Sequence, residues 1–277
     1  MVDTKNLVGE FTWDTSLTFS KTNSFWKERL PNYDYQIYQQ RENEPMSAYY
    51  YYNVTGIINT DRSNMPESQK TLQAEAQLPG CPIIEDKNKD GKIDENDVYM
   101  KDNSPAIYVG IGNTFTYKRF EFSFFMYGQF GIQKYNIAYS AAQAGPLAVD
   151  YPENSNKFAY RLWNSQTNPN GSRPGLAIGK MGALPGNAWV NADRENASFM
   201  RMRNITLAYN LAGNILGSLQ RYVRNIKVYV DAQNPFILTK FQGFDPEIYT
   251  GGGGASGGSR GEYPQTRTFS LGVNITF

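Results

Sequence analysis

Thr268-Phe269-Ser270-Leu271-Gly272-Val273-Asn274-Ile275-Thr276-Phe277 ends the sequence, directly after Arg267, on unbroken alternation. Successive side chains of an extended chain point to opposite sides. Phe269, Leu271, Val273, Ile275 and Phe277 therefore share one face, and Thr268, Ser270, Gly272, Asn274 and Thr276 the other. With Arg267 the stretch is about the length a tilted strand needs to cross a bilayer. The pattern recurs upstream. Phe11, Trp13, Leu17 and Phe19 alternate with Thr12, Asp14, Ser16, Thr18 and Ser20. Ile107, Val109, Ile111, Phe115 and Tyr117 alternate with Tyr108, Gly110, Gly112, Thr114 and Thr116. Phe120, Phe122, Phe124 and Met126 follow a Lys118-Arg119 turn, so these two runs predict a hairpin. Ile205, Leu207 and Tyr209, then Ile226, Val228, Val230 and Ala232, repeat the period, and a further strand is predicted over 48–58. The sum is about seven to nine strands and almost no helical periodicity.

Composition narrows the function. The chain has 277 residues, with 27 Lys plus Arg against 26 Asp plus Glu, a net charge of +1. That balance gives no electrostatic reason to expect nucleic acid or an anionic membrane surface. Histidine is absent, which excludes Ser-His-Asp and Cys-His catalysis, a His general base and His-ligated zinc. Cys81 is alone, so no disulfide forms within the chain. No run of apolar residues is long enough for a transmembrane helix. Met1-Val2-Asp3-Thr4-Lys5-Asn6 is not a signal peptide, and read literally the chain would stay in the cytoplasm. The strands contradict that reading. Small hydroxyl, Gly and Asn residues fill one face and large apolar residues the other. The connections are short at some ends and long at 60–105, 132–198 and 244–264. Short turns on one side and long loops on the other are the habit of outer-membrane barrels. The expected fold is all-β, an antiparallel transmembrane β-barrel with long extracellular loops.

Several segments carry a family resemblance. They are Pro45-Met46-Ser47-Ala48-Tyr49-Tyr50-Tyr51-Tyr52, the acidic loop 86–97 with the hairpin 107–131, and Phe199-Met200-Arg201-Met202-Arg203-Asn204-Ile205-Thr206-Leu207-Ala208-Tyr209-Asn210. Gln233-Asn234-Pro235-Phe236 with Gly243-Phe244-Asp245-Pro246-Glu247, and Tyr263-Pro264-Gln265-Thr266-Arg267-Thr268-Phe269, complete the set. In this order, ending on a terminal Phe, they resemble the C-terminal part of the SusC/RagA-type TonB-linked outer-membrane transporters of Bacteroidetes. The resemblance implies that residues 1–277 form part of a 22-stranded barrel. It implies an N-terminal plug and a TonB box, neither present here, so the chain reads as the last third or so of such a transporter. It further implies an outer-membrane parent in contact with lipid, a SusD-like surface lipoprotein, energy from the TonB complex, and an oligosaccharide or peptide substrate. Two other readings stay open: a soluble all-β calcium-stabilised glycan-binding module, and a self-sufficient small outer-membrane barrel.

One segment carries recognisable site chemistry. Asp86-Lys87-Asn88-Lys89-Asp90-Gly91-Lys92-Ile93-Asp94-Glu95-Asn96-Asp97 fits the twelve-residue calcium loop. Asp86, Asn88 and Asp90 put oxygens at positions 1, 3 and 5, and Gly91 permits the turn. Lys92 offers its backbone carbonyl, Asp94 stands at position 9 and Asp97 closes the loop. A hard cation wants six or more oxygens, and alternate residues of a wound loop point inward. Asp97 is one methylene shorter than the usual Glu, so weak Ca2+ binding of about 10⁻⁴–10⁻³ M is expected. The bland alternative is a polar surface turn. Trp163 and Trp189, in the long 132–198 connection, are candidates either to stack on a sugar ring or to pack the loop. The Tyr49-Tyr50-Tyr51-Tyr52 run is either an interfacial aromatic girdle or a sugar platform. Leu78-Pro79-Gly80-Cys81 has no apolar stretch before it and is not a lipobox, and the Gly-rich stretch 251–259 lacks the features of a phosphate loop. No pair of carboxylates is fixed at catalytic spacing, so no enzyme is expected.

Overall fold

The structure, a computed structural model, describes residues 1–31, 33–39, 43–102, 107–136, 161–175, 184–185, 189–212, 216–217, 221–243, 245–247 and 264–277. In chain order the strands are β1 (Val2–Leu7), β2 (Phe11–Ser20), β3 (Ala48–Tyr52), β4 (Val54–Ile57) and β5 (Pro82–Ile84). Next come β6 (Tyr99–Asp102), β7 (Ile107–Tyr117), β8 (Phe120–Phe130), β9 (Gln133–Tyr135) and β10 (Trp189–Val190). The last are β11 (Arg194–Asn196), β12 (Phe199–Ala212), β13 (Asn225–Gln233), β14 (Ile237–Thr239) and β15 (Thr268–Thr276). Among the described residues the only helical pieces are short 3-10 turns.

One antiparallel sheet of eight strands dominates, in the order β1-β2-β7-β8-β12-β13-β15, with β14 beside β12. Its register lines up the apolar residues of all the long strands in rows. Leu7, Trp13, Phe115, Phe122, Leu207, Val230 and Leu271 face one another across seven strands. One step nearer the short turns, Phe11, Tyr117, Phe120, Tyr209, Val228 and Val273 form the next row. The opposite face carries Lys5, Asp14, Thr114, Ser123, Thr206, Asp231 and Ser270 in one row. There the Thr206 hydroxyl donates to Asp231 at 2.7 Å, and Lys227 Nζ lies 2.9 Å from Glu121.

Among the described residues nothing covers the apolar face. Phe269 is 72% exposed and Leu271 76%. A soluble sheet buries its apolar face against a second layer. A lipid-facing wall leaves it open to hydrocarbon. The apolar face has one polar interruption, where Thr4, Thr15 and Asn113 share a row. Asn113 Oδ1 accepts from the Trp13 indole at 2.8 Å and from the Thr15 hydroxyl at 2.7 Å, so the exception satisfies itself. The path runs from β1 to β15 without pairing them, so the sheet is open. That removes the self-sufficient small barrel as a description of this chain.

The predicted strand over 48–58 is corrected. It is two strands, β3 and β4, broken at Asn53, and neither joins the large sheet. β3 lies between β6 and β10, and β4 pairs with β5. The connection from β2 to β7 is a packed body rather than a plain loop. Its core gathers Tyr38, Tyr52, Ile58, Leu72, Ala76, Cys81, Ile83, Ile84, Ile93 and Val98, with Leu184 added from the next long connection. Gln69, fully buried, ties it together: its amide donates to the carbonyls of Ala76 and Pro82 and accepts from Ile84 N–H at 3.0 Å.

Candidate functional site in the long connections

The β1–β2 and β7–β8 turns lie at one end of the sheet. The 21–106, 131–198 and 234–267 connections rise from the other. All candidate site residues sit in those connections.

The acidic loop is wound as its motif requires, with Lys89 at φ 61° and Gly91 at φ 85°, left-handed values that glycine adopts without strain. Its carboxylates hold the winding. Asp86 accepts from the N–H of Asp90 at 3.2 Å and of Gly91 at 2.9 Å, and Asp90 accepts from Lys92 N–H at 2.9 Å. Asp94 caps the 3-10 turn Glu95–Asp97, accepting from Asn96 N–H. Asp97 is fully buried and accepts from the N–H of Lys87 and of Asp94, both at 2.8 Å. Ile93 enters the core, and its N–H donates to the Thr71 hydroxyl. Asp86, Asn88 and Asp90 thus gather at the exposed end, and Asp94 and Asp97 at the buried end. Among the described residues no three His, Cys, Asp or Glu side chains are grouped to hold a metal. The donors are the hard oxygens Ca2+ prefers. Their present partners are backbone amides and, for Asp90, the Asn88 side-chain amide.

The tyrosine run does not belong to the large sheet, which corrects the girdle reading. Tyr52 is fully buried, with its hydroxyl 3.0 Å from the Asp94 carbonyl and 2.9 Å from that of Pro185. The Tyr50 hydroxyl donates to Glu44, which also pairs with Arg29. The Tyr49 ring lies under the Arg194 guanidinium, 3.7 Å from its centre. Burial pushes the hydroxyls of Tyr49 and Tyr50 up to about 12. The large sheet has its own aromatic row, Phe11, Tyr117, Phe120 and Tyr209, which no single stretch of sequence displays.

Trp163 and Trp189 part company. Trp189 pairs in β10 with Tyr51, and its side chain lies outside the described residues. Trp163 packs an edge of its ring on Gly80, where an added Cβ would come within 2.7 Å, and lines a cleft. That cleft holds about 640 Å³ between β4 with its following turn and the 163–174 segment. Its walls include Asn59, Asn64, Asn170, Asn191, Arg173 and Arg194. Arg173 pairs with Glu195 at 2.8 Å. The size lies within the range of small-molecule sites, about 300–1,000 Å³.

One constellation was not readable in advance. Arg201, on the polar face of β12, is 3% exposed and pairs with both Asp245, at 2.6 Å, and Glu247. Asp245 in turn accepts from the N–H of Glu247 at 2.9 Å and of Gln265 at 3.1 Å. Three of the segments that carry the resemblance therefore meet at one buried charge cluster. Cys81 is fully buried, and burial raises its thiol to about 11, so it is no nucleophile.

No family model matches the chain. Among curated proteins, TonB-dependent receptor P3 of Formosa agariphila is 26% identical over all of this chain and 28% of its own length. TonB-dependent receptor SusC of Bacteroides thetaiotaomicron is 31% identical over 69% of this chain and 17% of its own. TonB-dependent receptor P26 of F. agariphila is 30% identical over 76% and 21%. Among solved structures, the RagAB peptide importer in its closed-closed state superposes with a TM-score of 0.66 at 18% identity, covering 99% of this chain and 28% of that one. A second structure of the RagAB peptide transporter gives 0.65 at 20% identity. The chain spans less than a third of the length of each. Similarity along the whole chain and an agreeing fold lead to one conclusion: the chain belongs to the SusC-type TonB-dependent receptors.

Proposed function

We propose that this chain forms part of the wall and outer loops of an outer-membrane nutrient importer driven by the TonB complex. The observation that carries the reading is the open sheet with an apolar face broken by one polar row, a polar face, and its three longest connections at one end. In that setting the apolar rows meet lipid and the polar row lines the lumen. The free edges of β1 and β15 pair with further strands of the same wall, because an unpaired edge is intolerable in hydrocarbon. The packed long connections face outward, toward substrate and a SusD-like lipoprotein. The substrate is an oligosaccharide or a peptide; of the similar proteins, RagAB is named as a peptide importer. The exposed Phe269 and Leu271 weigh against a soluble glycan-binding module. No step of chemistry is assigned to any residue.

Cell fractionation tests the proposal. An antibody to the β3–β6 body should find the protein in the outer-membrane fraction, resistant to carbonate extraction. Recovery in the soluble fraction would overturn it.

For loop 86–97 we propose weak Ca2+ binding through Asp86, Asn88, Asp90, the Lys92 carbonyl, Asp94 and Asp97. The ion would stiffen the outer connection. At a Kd of about 10⁻⁴–10⁻³ M, 10 mM Ca2+ would add roughly 1–3 kcal/mol of stability. Terbium luminescence and calorimetry test this, and no saturation below 10 mM would reject it.

A further inference from the structure

The short-turn end of the large sheet carries cations just beyond its last apolar row. We infer that this rim binds the phosphate of an anionic phospholipid in the inner leaflet of the outer membrane, a reading that rests on the importer proposal and adds a ligand to it. The turns at this end are 8–10, 118–119 and the described residues 221–224. They carry Lys118, Arg119, Arg221 and Arg224 against a single acidic side chain, Glu10. The net charge of +1 for the whole chain conceals this local excess. Lys118, Arg221 and Arg224 are exposed, and Arg119 is half-buried. Among the described residues none of the four is in an ion pair. Glu121, at the start of β8, already holds Lys227 on the polar face.

Placement decides the ligand. Lys118 Nζ lies 5.2 Å from the centre of the Tyr117 ring, and Tyr117 belongs to the apolar face, so this charge stands on the lipid side and not in the lumen. Ile226 pairs with Ile275 on the same face. Arg224 lies two residues before Ile226, and its N–H donates to the Thr276 carbonyl. Alternation therefore puts Arg224 on the lipid side as well. At about 3.4 Å per residue, both cations stand within about 7 Å of the last apolar residue of their strands. Tyr222, 69% exposed, lies between Arg221 and Arg224. Aromatic rings sit at headgroup level in a barrel wall, and long cationic side chains reach the phosphates there. A zwitterionic headgroup brings its own ammonium, which these cations repel, whereas an anionic one brings the phosphate alone. The planar guanidinium fork matches phosphate oxygens. Bound there, the lipid fixes the depth of the wall at the end opposite the long connections.

The test reads local lipid preference on the full chain in bilayers. An uncharged fluorophore is attached at Ile275→Cys in a Cys81→Ala background, beside Ile226 in the register. A second probe, at Phe269→Cys, stands about 20 Å further along β15. Quenching by dibromo-phosphatidylglycerol is compared with quenching by dibromo-phosphatidylcholine of the same chains. One cation near an anionic lipid surface corresponds to about a fivefold preference. Phosphatidylglycerol should therefore be preferred at least about fivefold at 275 and less than about twofold at 269. Lys118→Gln, Arg221→Gln and Arg224→Gln together should bring the preference at 275 below about twofold. Phosphatidylcholine quenching at both probes should then be unchanged, which separates lost charge from lost fold. Lys118→Arg, Arg221→Lys and Arg224→Lys together should keep the preference, and Lys70→Gln, in the outer body, should not alter it. Inorganic phosphate should displace no lipid beyond the effect of chloride at equal ionic strength. No preference at 275, equal preference at both probes, a preference that survives the three glutamines, or displacement by inorganic phosphate would each overturn the assignment. Fractionation separates the rim from the importer reading. A lipid preference in a protein absent from the outer membrane would sink the importer reading and leave the rim standing. An outer-membrane protein without the preference would do the reverse.

Discussion

Arg201→Ala removes the one cation among the side chains of the buried cluster and leaves Asp245 and Glu247 facing each other. Breaking a buried pair by deleting one partner costs about 3–5 kcal/mol, because the surviving charge stays desolvated. Arg201 is 3% exposed and Asp245 7%, so solvent screening offers little relief. The loss should be local first, since Asp245 also anchors the N–H groups of Glu247 and Gln265. At about 1.4 kcal/mol per factor of ten, those two amides should exchange with deuterium at least about 100-fold faster in the variant. Amides of the β7–β8 hairpin should stay within a fewfold of wild type. Arg201→Lys should fall between, because a point ammonium cannot serve two carboxylates as a planar fork does. Asp245→Asn keeps one acceptor oxygen and puts an NH2 donor where the other stood, so it should loosen one of the two amides where Arg201→Ala loosens both. Hydrogen exchange with mass-spectrometric readout in micelles measures all three variants against wild type. If Arg201→Ala leaves Glu247 and Gln265 exchange unchanged, the cluster does not hold the segment and the reasoning fails.

Cys81 should resist thiol reagents. A thiol raised to about 11 is roughly 0.1% thiolate at pH 8, so iodoacetamide labelling should be over 100-fold slower than after denaturation; rapid labelling of the folded chain would refute its burial. Alkaline titration follows from Tyr49 and Tyr50, both pushed up to about 12 from an ordinary 10. Above pH 10 the unfolded state loses these protons first, so stability should fall from pH 10 to 12; a flat profile there, read by near-UV circular dichroism, would contradict it. Leu207→Arg puts a charge in the middle of the apolar rows and should cost about 2–4 kcal/mol in a bilayer, whereas Thr206→Arg, on the polar face, should cost far less. Equal costs in urea unfolding from liposomes would show that the two faces are not distinguished.

Much of the wall was legible because period two is a property of the backbone and needs no knowledge of partners. Thr15 and Asn113 each break an apolar run, and that they are register partners emerges only from the sheet. What alternation cannot say is which sheet a strand joins. Residues 48–58 alternate like wall strands, yet their partners β5, β6 and β10 come from the long connections. The packed body was invisible for a related reason. Its core is made of single apolar residues on 3-10 turns and three- or four-residue strands, too short to display a period. The acidic loop was found by spacing, but its backbone amide partners belong to the folded geometry. Arg201 and Asp245 lie 44 residues apart, and no local pattern joins them. Trp163 could be named from its residue type, whereas the asparagines around it came together only through folding.

The central claim is that the strands of the large sheet present one face to lipid and the other to an aqueous lumen. It is tested most directly on β15 by single cysteines placed in turn at positions 268–276 of a Cys81→Ala background, each labelled with an environment-sensitive fluorophore in brominated-lipid bilayers. The account predicts period-two quenching by the bromines, strong at 269, 271, 273 and 275 and weak at 268, 270, 272, 274 and 276. Uniform quenching, uniform protection, or the opposite phase would contradict it.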